Sequence, residues 1–252
     1  MAFPVPVFEL KQVSQQFGQF SALTNISLQI YPGERVALVG SSGAGKSTLL
    51  RLLNGSVRST RGEVWAMGRN LSQLNSKRLR QIQQQIGTIY QQLHLVDNLR
   101  VIHNVNAGHL GRWSFLKALA SLIVPLEVGT AVKALSQVGI TEKLYERTDR
   151  LSGGQQQRVA IARVLVQNPL VILADEPIAS LDPELSREIM DLLQDLAQQA
   201  DRTLVISLHD VDFARSHCDR MIGLRQGQVL FDAAPHQVSP DLIADLYRLE
   251  SH

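Results

Sequence analysis

One cysteine stands in 252 residues. A lone Cys218 cannot close an internal disulfide, and it excludes a metal site built on several thiolates. No motif around it would activate a thiol, so Cys218 reads as a partly buried packing residue. Aromatic residues make up only 5% of the chain, few for a platform on which nucleic-acid bases stack. A dominant charge is missing too, since 25 Lys and Arg stand against 23 Asp and Glu, for a net +2. The basic residues are scattered and form no block, so a nucleic-acid partner is not expected. Long apolar runs are absent. The most apolar window, Ala118 to Leu126, is too short for a bilayer span, and Lys117, Pro125 and Glu127 bound or interrupt it. The start, Met1-Ala2-Phe3-Pro4-Val5-Pro6, lacks a basic region followed by an apolar one, so no signal peptide is read there. These absences lead to the expectation of a soluble, cytosolic chain, long enough for one large domain or a domain with an inserted subdomain.

What is present is a phosphate loop. Arg35-Val36-Ala37-Leu38-Val39 reads as a short buried strand and Leu49-Leu50-Arg51-Leu52-Leu53 as a helix. Between them stands Gly40-Ser41-Ser42-Gly43-Ala44-Gly45-Lys46-Ser47-Thr48. Strand, glycine-rich turn and helix are the context that G-x-x-x-x-G-K-[ST] requires. Glycines let main chain approach a ligand without a Cβ in the way. The freed amides form a nest for phosphate oxygens, and the helix start adds its own amides and dipole. Lys46 can reach the β- and γ-phosphates and the Ser47 hydroxyl can ligate Mg2+, with Thr48 placed for a further phosphate oxygen. The pattern points to a nucleoside triphosphate, without saying what hydrolysis would drive.

In chain order, Val7–Lys11 and Ile26–Ile30 read as antiparallel strands, with Phe17 and Phe20 in the loop between them. Either aromatic could stack on a purine or simply pack against the sheet. Gly62–Ala66 and Ile86–Tyr90 read as strands and Ser76–Gln84 as a helix. From residue 93 to 150 helical patterns take over, at Val101–Leu110, Trp113–Ile123 and Leu126–Val138, with Gly139 as a stop. The expectation is a helical insertion in an α/β domain. A second glycine turn, Leu151-Ser152-Gly153-Gly154-Gln155, opens a helix over Gln156–Val166, another helix start offering amides to an anion. Leu170–Asp175 reads as a buried parallel strand ending in Asp175 and Glu176. That places two carboxylates at the sheet edge where α/β folds bind ligands. Pro183–Gln199 reads as a helix, Thr203–Leu208 as a core strand ending at His209, Arg220–Leu224 with Gln228–Phe231 as a hairpin, and Pro240–Leu246 as a closing helix.

Phosphoryl transfer gives each of these strand ends a task. Asp175 can hold Mg2+ through its water shell. Glu176 can orient or deprotonate the attacking water. His209 can contact the γ-phosphate, and Gln91 can touch both that water and Mg2+.

At this point the chain resembles the ATP-binding cassette (ABC) ATPases across essentially its whole length. Gly40–Thr48 matches the Walker A loop, Leu151–Gln155 the signature, and Leu170–Asp175 Walker B, with Glu176 as the catalytic glutamate. Ser180-Leu181-Asp182 matches the D-loop, His209 the switch histidine and Gln91 the Q-loop glutamine, while Phe17 stands where the family stacks an aromatic on adenine. The resemblance implies a P-loop NTPase core with a mainly parallel sheet, an N-terminal antiparallel β-subdomain and an inserted helical subdomain at about 92–160, all in one domain over 1–252. It implies ATP and Mg2+ as ligands. It also implies a head-to-tail homodimer, in which Ser152, Gly153, Gly154 and Gln155 of one copy face the Walker A loop of the other. The helical insertion would grip a membrane-spanning permease subunit, in a complex with a periplasmic or extracellular solute-binding protein, at the cytoplasmic face of the plasma membrane. The runs Ile89–Val96, Asn104–Arg112 and Leu151–Pro183 look like the ATP-binding subunit of phosphonate importers, apart from His109, where that subfamily usually has Arg. This narrower resemblance implies phosphonate or a related phosphorus oxyanion as the transported solute. A polar amino acid importer, a lipoprotein-release type exporter and a soluble ABC ATPase outside transport remain alternatives at this stage.

Overall fold

The computed structural model describes residues 5–123, 125–179 and 181–248. β1 (Phe8–Phe17) and β2 (Phe20–Ile30) form an antiparallel hairpin. Phe17 and Phe20 are paired strand ends rather than loop residues. The polar stretch Lys11–Gln16 hides the strand because register shifts break its alternation, between Leu10 and Val13 and again between Val13 and Gln15. β3 (Arg35–Val39) is followed by α1 (Lys46–Leu53), which starts ahead of the expected Leu49. β4 (Arg61–Ala66) and β5 (Arg69–Asn70) complete a four-stranded antiparallel sheet in the order β2-β1-β4-β5.

α2 (Ser76–Gln83) and β6 (Ile86–Ile89) come next. A helical stretch follows, with α3 (Val101–Asn106), α4 (Phe115–Ile123), α5 (Val128–Gln137) and α6 (Gly153–Gln167). Gly139 turns the chain after α5 at φ 72°, the left-handed exit that favours glycine. The chain then alternates through β7 (Val171–Asp175), α7 (Pro183–Gln198), β8 (Thr203–Leu208), α8 (Val211–His217), β9 (Arg220–Arg225), β10 (Gln228–Ala233) and α9 (Pro240–Tyr247). The second sheet has the order β10-β9-β3-β8-β7-β6. Its strands run parallel except for β10, which pairs antiparallel with β9 at the edge.

Strand alternation divides the core between the two faces of this sheet. Val36, Leu38, Val171, Leu173 and Val205 point to a layer shared with the antiparallel sheet and α1. Ala37, Val39, Ile172, Ala174, Ile206 and Leu208 point to the layer of α6, α7 and α8. Burial on both faces explains why β8 is apolar almost throughout. Register then fixes the edge that matters. Val39 pairs with Leu208, Asp175 with Ser207 and Ile89 with Ala174. Four parallel strands therefore end together, and the residues just beyond them are brought to one rim.

The helical stretch is fastened to the chain around β6 and to itself largely through main-chain groups. Gln167 Nε2 donates to Gln83 O, Gln84 O and Ile86 O at 3.0, 3.2 and 3.0 Å. Arg163 donates to His94 O and Leu93 O at 2.8 and 2.6 Å. Buried Asn104 accepts from Val96 N at 2.8 Å and donates to Val96 O at 3.0 Å and Thr148 Oγ1 at 2.9 Å. Asn104→Leu strips these partners and is expected to lower stability by about 2 kcal/mol, as a reduced midpoint in urea unfolding.

Candidate active site

The loop after β3 is shaped by a contact no side chain could share. Gly45 caps α1 at φ 105°, and a Cβ there would sit 2.7 Å from Ala22 O and from Leu23 Cδ2. β2 is thus pressed against the loop. The β9–β10 turn braces it from another direction, with Gly227 N donating to Ala44 O at 3.1 Å. Inside the loop Ala44 N donates to Ser41 O at 3.2 Å, while Ser42 and Gly43 face solvent. Lys46 is buried and its Nζ donates to Gly40 O at 2.7 Å and Ser41 O at 3.0 Å. Burial pushes its pKa down, against the pull of the Glu176 and Asp175 carboxylates.

Behind the loop, Ser47 Oγ donates to Asp175 Oδ1 at 3.0 Å and Ser207 Oγ donates to the same atom at 2.7 Å. The Ser207 oxygen in turn accepts the Glu176 amide at 2.9 Å. Glu176 holds φ 46°, a left-handed conformation that non-glycine residues avoid unless surroundings enforce it. Its carboxylate is held on both sides. Gln91 Nε2 donates to Oε2 at 2.8 Å, and His209 Nε2 lies 2.5 Å from Oε1. Lys46, Ser47, Asp175, Glu176, Gln91 and His209 therefore form one connected cluster. A nest of amides, a buried cation, two carboxylates and two polar side chains that can turn aside suit a phosphate ester and its attacking water.

Among the described residues no group of three or more His, Cys, Asp and Glu side chains forms a metal cage. Oxygen donors in the cluster include a hydroxyl (Ser47), a carboxylate (Asp175) and an amide (Gln91). That sparse oxygen set fits Mg2+, which keeps water and phosphate ligands and rarely takes an all-protein cage.

The other expected residues lie apart from this cluster. α6 begins at Gly153 instead of Gln156 because Ser152 and Gln155 form a reciprocal capping box: Ser152 Oγ accepts the Gln155 amide, and Gln155 Oε1 accepts the Ser152 amide at 3.1 Å. Ser152 and Gly153 are exposed, while Gly154 is buried under Leu185 of α7. Among the described residues no hydrogen bond or ion pair joins 151–155 to 40–48. Phe17 and Phe20 are 44% and 62% exposed, so neither is a packing aromatic, and both rings stand at the tip of the hairpin whose second strand touches Gly45. Thr48 is half-buried on α1. Ser180 lies outside the described residues, and Asp182 caps α7 by accepting the Leu185 amide at 2.9 Å. Cys218 is buried, and desolvation pushes its thiol up to about 12, which fits a packing role. His109 stacks on Trp113 with ring centroids 5.0 Å apart, and burial lowers its pKa.

Ser207 escaped the sequence reading. Its signal was a single hydroxyl near the end of an otherwise apolar strand, but its partner Asp175 becomes visible only once β7 and β8 are paired.

Residues 23–179 match the family described as ABC transporter. The chain is 44% identical over 238 residues to the phosphonates import ATP-binding protein PhnC of Frankia casuarinae, covering 94% of each chain. It is 46% identical over 242 residues to phosphonates import ATP-binding protein PhnC 1 of Nostoc sp., covering 95% of this chain and 91% of that one. Among solved structures, it is similar to a dimeric ATP-binding cassette in a post-hydrolysis state bound to ADP and Pi, with TM-score 0.78 and 32% identity over 90% of this chain and 98% of that one. It is also similar to cbiO1 from Clostridium perfringens, part of the transporter complex cbiONQ, with TM-score 0.80 and 27% identity over 95% of this chain and 93% of that one.

Ser207→Ala removes the acceptor of the Glu176 amide and one donor to Asp175. A stability loss of about 1–3 kcal/mol is expected, measured by calorimetry without nucleotide.

Proposed function

Because the chain belongs to the ABC transporter family as one of its ATP-binding cassettes, we propose that it is the ATP-hydrolysing subunit of a phosphonate importer. The observation that carries the site assignment is the linkage of Gln91, His209 and the Lys46–Ser47 loop to Asp175 and Glu176 at one rim. Relatives with 44% and 46% identity named for phosphonate import support the solute class.

In this reading the amides of residues 40–48 and the Lys46 ammonium hold the β- and γ-phosphates of ATP, and a hairpin aromatic, Phe17, covers the adenine. Ser47, Gln91 and, through water, Asp175 hold Mg2+, which supplies charge neutralisation at the phosphates when bound. Gln91 and His209 turn from Glu176 toward the water and the γ-phosphate. Glu176 then takes a proton from water as its oxygen bonds to the γ-phosphorus, and the bond to the β-phosphate oxygen breaks to leave ADP. Holding that carboxylate in place beforehand spares the reaction a reorganisation cost.

The site is half of a pair. Ser152, Gly153, Gly154 and Gln155 serve the nucleotide of a second copy in a head-to-tail homodimer, with Ser180–Asp182 at the joint. Exposure of Ser152 and Gly153 away from their own loop supports this arrangement. The helical part at about 92–160, within a single domain over 1–252, takes up the permease at the cytoplasmic face of the membrane, and a separate binding protein selects the solute. No helix among the described residues is long and apolar enough to cross a membrane.

Glu176→Gln is expected to abolish steady-state hydrolysis while ATP stays bound and the dimer stays closed, read by phosphate release and gel filtration with ATP. Turnover at the parent rate would remove Glu176 as the base. A strain lacking this chain is expected to lose uptake of phosphonate and keep uptake of phosphate. Unchanged phosphonate uptake would overturn the solute class.

A further inference from the structure

Tyr247, the last residue of α9, is not part of any motif above, yet it reaches the rim of the active site. α9 starts on the cap Ser239 and Pro240, and it is seated on the core by Leu246, which is buried. Leu242, Ile243 and the Tyr247 ring pack on the same cluster. This seat delivers the phenol hydroxyl to the main chain of the switch position, where Oη donates to His209 O at 2.7 Å. One hydroxyl thus holds the main chain just beyond the end of β8. Burial, then Asp210, pushes the phenol pKa up from its ordinary value, and the Gly40 amide pulls the other way. The group stays protonated at neutral pH and remains a donor.

The position matters because His209 has two partners to serve. Its ring lies against Glu176, and the proposed mechanism requires it to swing toward the γ-phosphate. A side chain swings reproducibly only about a main chain that stays put. Asp210, next along the chain, is turned to another task, its Oδ1 accepting the amides of Asp212 and Phe213 at the start of α8. The Tyr247 hydroxyl holds the carbonyl of His209 itself.

We propose that Tyr247 is a positioning residue for ATP hydrolysis, tying the main chain of His209 to the seated helix α9 so that the imidazole turns about a fixed pivot. The proposal rests on His209 acting at the γ-phosphate.

The test is steady-state ATPase kinetics on the full chain assembled with its transport complex, comparing Tyr247→Phe, Leu246→Ala and His209→Ala with the parent. Tyr247→Phe keeps the ring and its packing and deletes only the oxygen. Its kcat is expected to fall about tenfold, the scale of one lost hydrogen bond acting on the reacting state. Its KM for ATP and its thermal midpoint are expected to stay near the parent values. Leu246→Ala, which loosens the helix itself, is expected to lower the midpoint as well as kcat. In the double variant His209→Ala, Tyr247→Phe, no further loss beyond His209→Ala is expected, because the tether acts through that side chain. Parent kcat in Tyr247→Phe with an inactive His209→Ala would overturn the tether and leave the catalytic assignment standing. Parent kcat in His209→Ala would overturn the assignment and the tether with it. A parallel rise of KM and fall of midpoint in Tyr247→Phe would show a merely structural tyrosine and also overturn the proposal.

Discussion

Asp175 Oδ1 accepts two hydroxyls from different parts of the fold: Ser47 at the start of α1 and Ser207 in β8. The rest of the site depends on that shared acceptor. Through Ser47 it fixes the helix that opens the phosphate loop. Through Ser207 it fixes the amide of Glu176, and hence the left-handed turn that aims the carboxylate at Gln91 and His209. None of these groups is adjacent to another in sequence except Lys46 with Ser47 and Asp175 with Glu176. Their meeting is a property of a parallel sheet, in which neighbouring strands end on the same side without any residue choosing its partner.

Much of this was legible beforehand. The strand, loop and helix around Lys46, the buried strand ending at Asp175 and the strand ending at His209 all announce themselves by apolar runs bounded by polar or glycine residues. Buried strands leave a strong signal because both faces must be apolar. The N-terminal hairpin was half legible. Its bulges shift the alternation, so Phe17 and Phe20 looked like loop residues and are strand ends. Helix starts were misread where a cap did its work inside a glycine turn, as at Ser152 and Gly45. Ser207 and Tyr247 were illegible for a different reason. Each acts through a partner 31 or more residues away, and a lone hydroxyl carries no period.

The division of labour between side chain and main chain also deserves a physical reading. The Glu176 carboxylate is held by side chains, Gln91 and His209, which can be exchanged when a ligand arrives. Away from the rim, Gln167, Arg163 and Asn104 all clasp main-chain groups. Such contacts leave sequence on the far side free to vary while keeping the path of the chain. A site that must rearrange is thus mounted on connections that do not.

Arg163 illustrates what that mounting does. Its guanidinium spans the successive carbonyls of Leu93 and His94, both left-handed residues at φ 39° and 48°. A planar fork gripping two adjacent peptide units takes away the torsional compliance of that segment. Gln91 stands two residues before Leu93 and is itself bonded to Glu176, so α6 and the rim of the site are joined through a short segment with few torsions left to it.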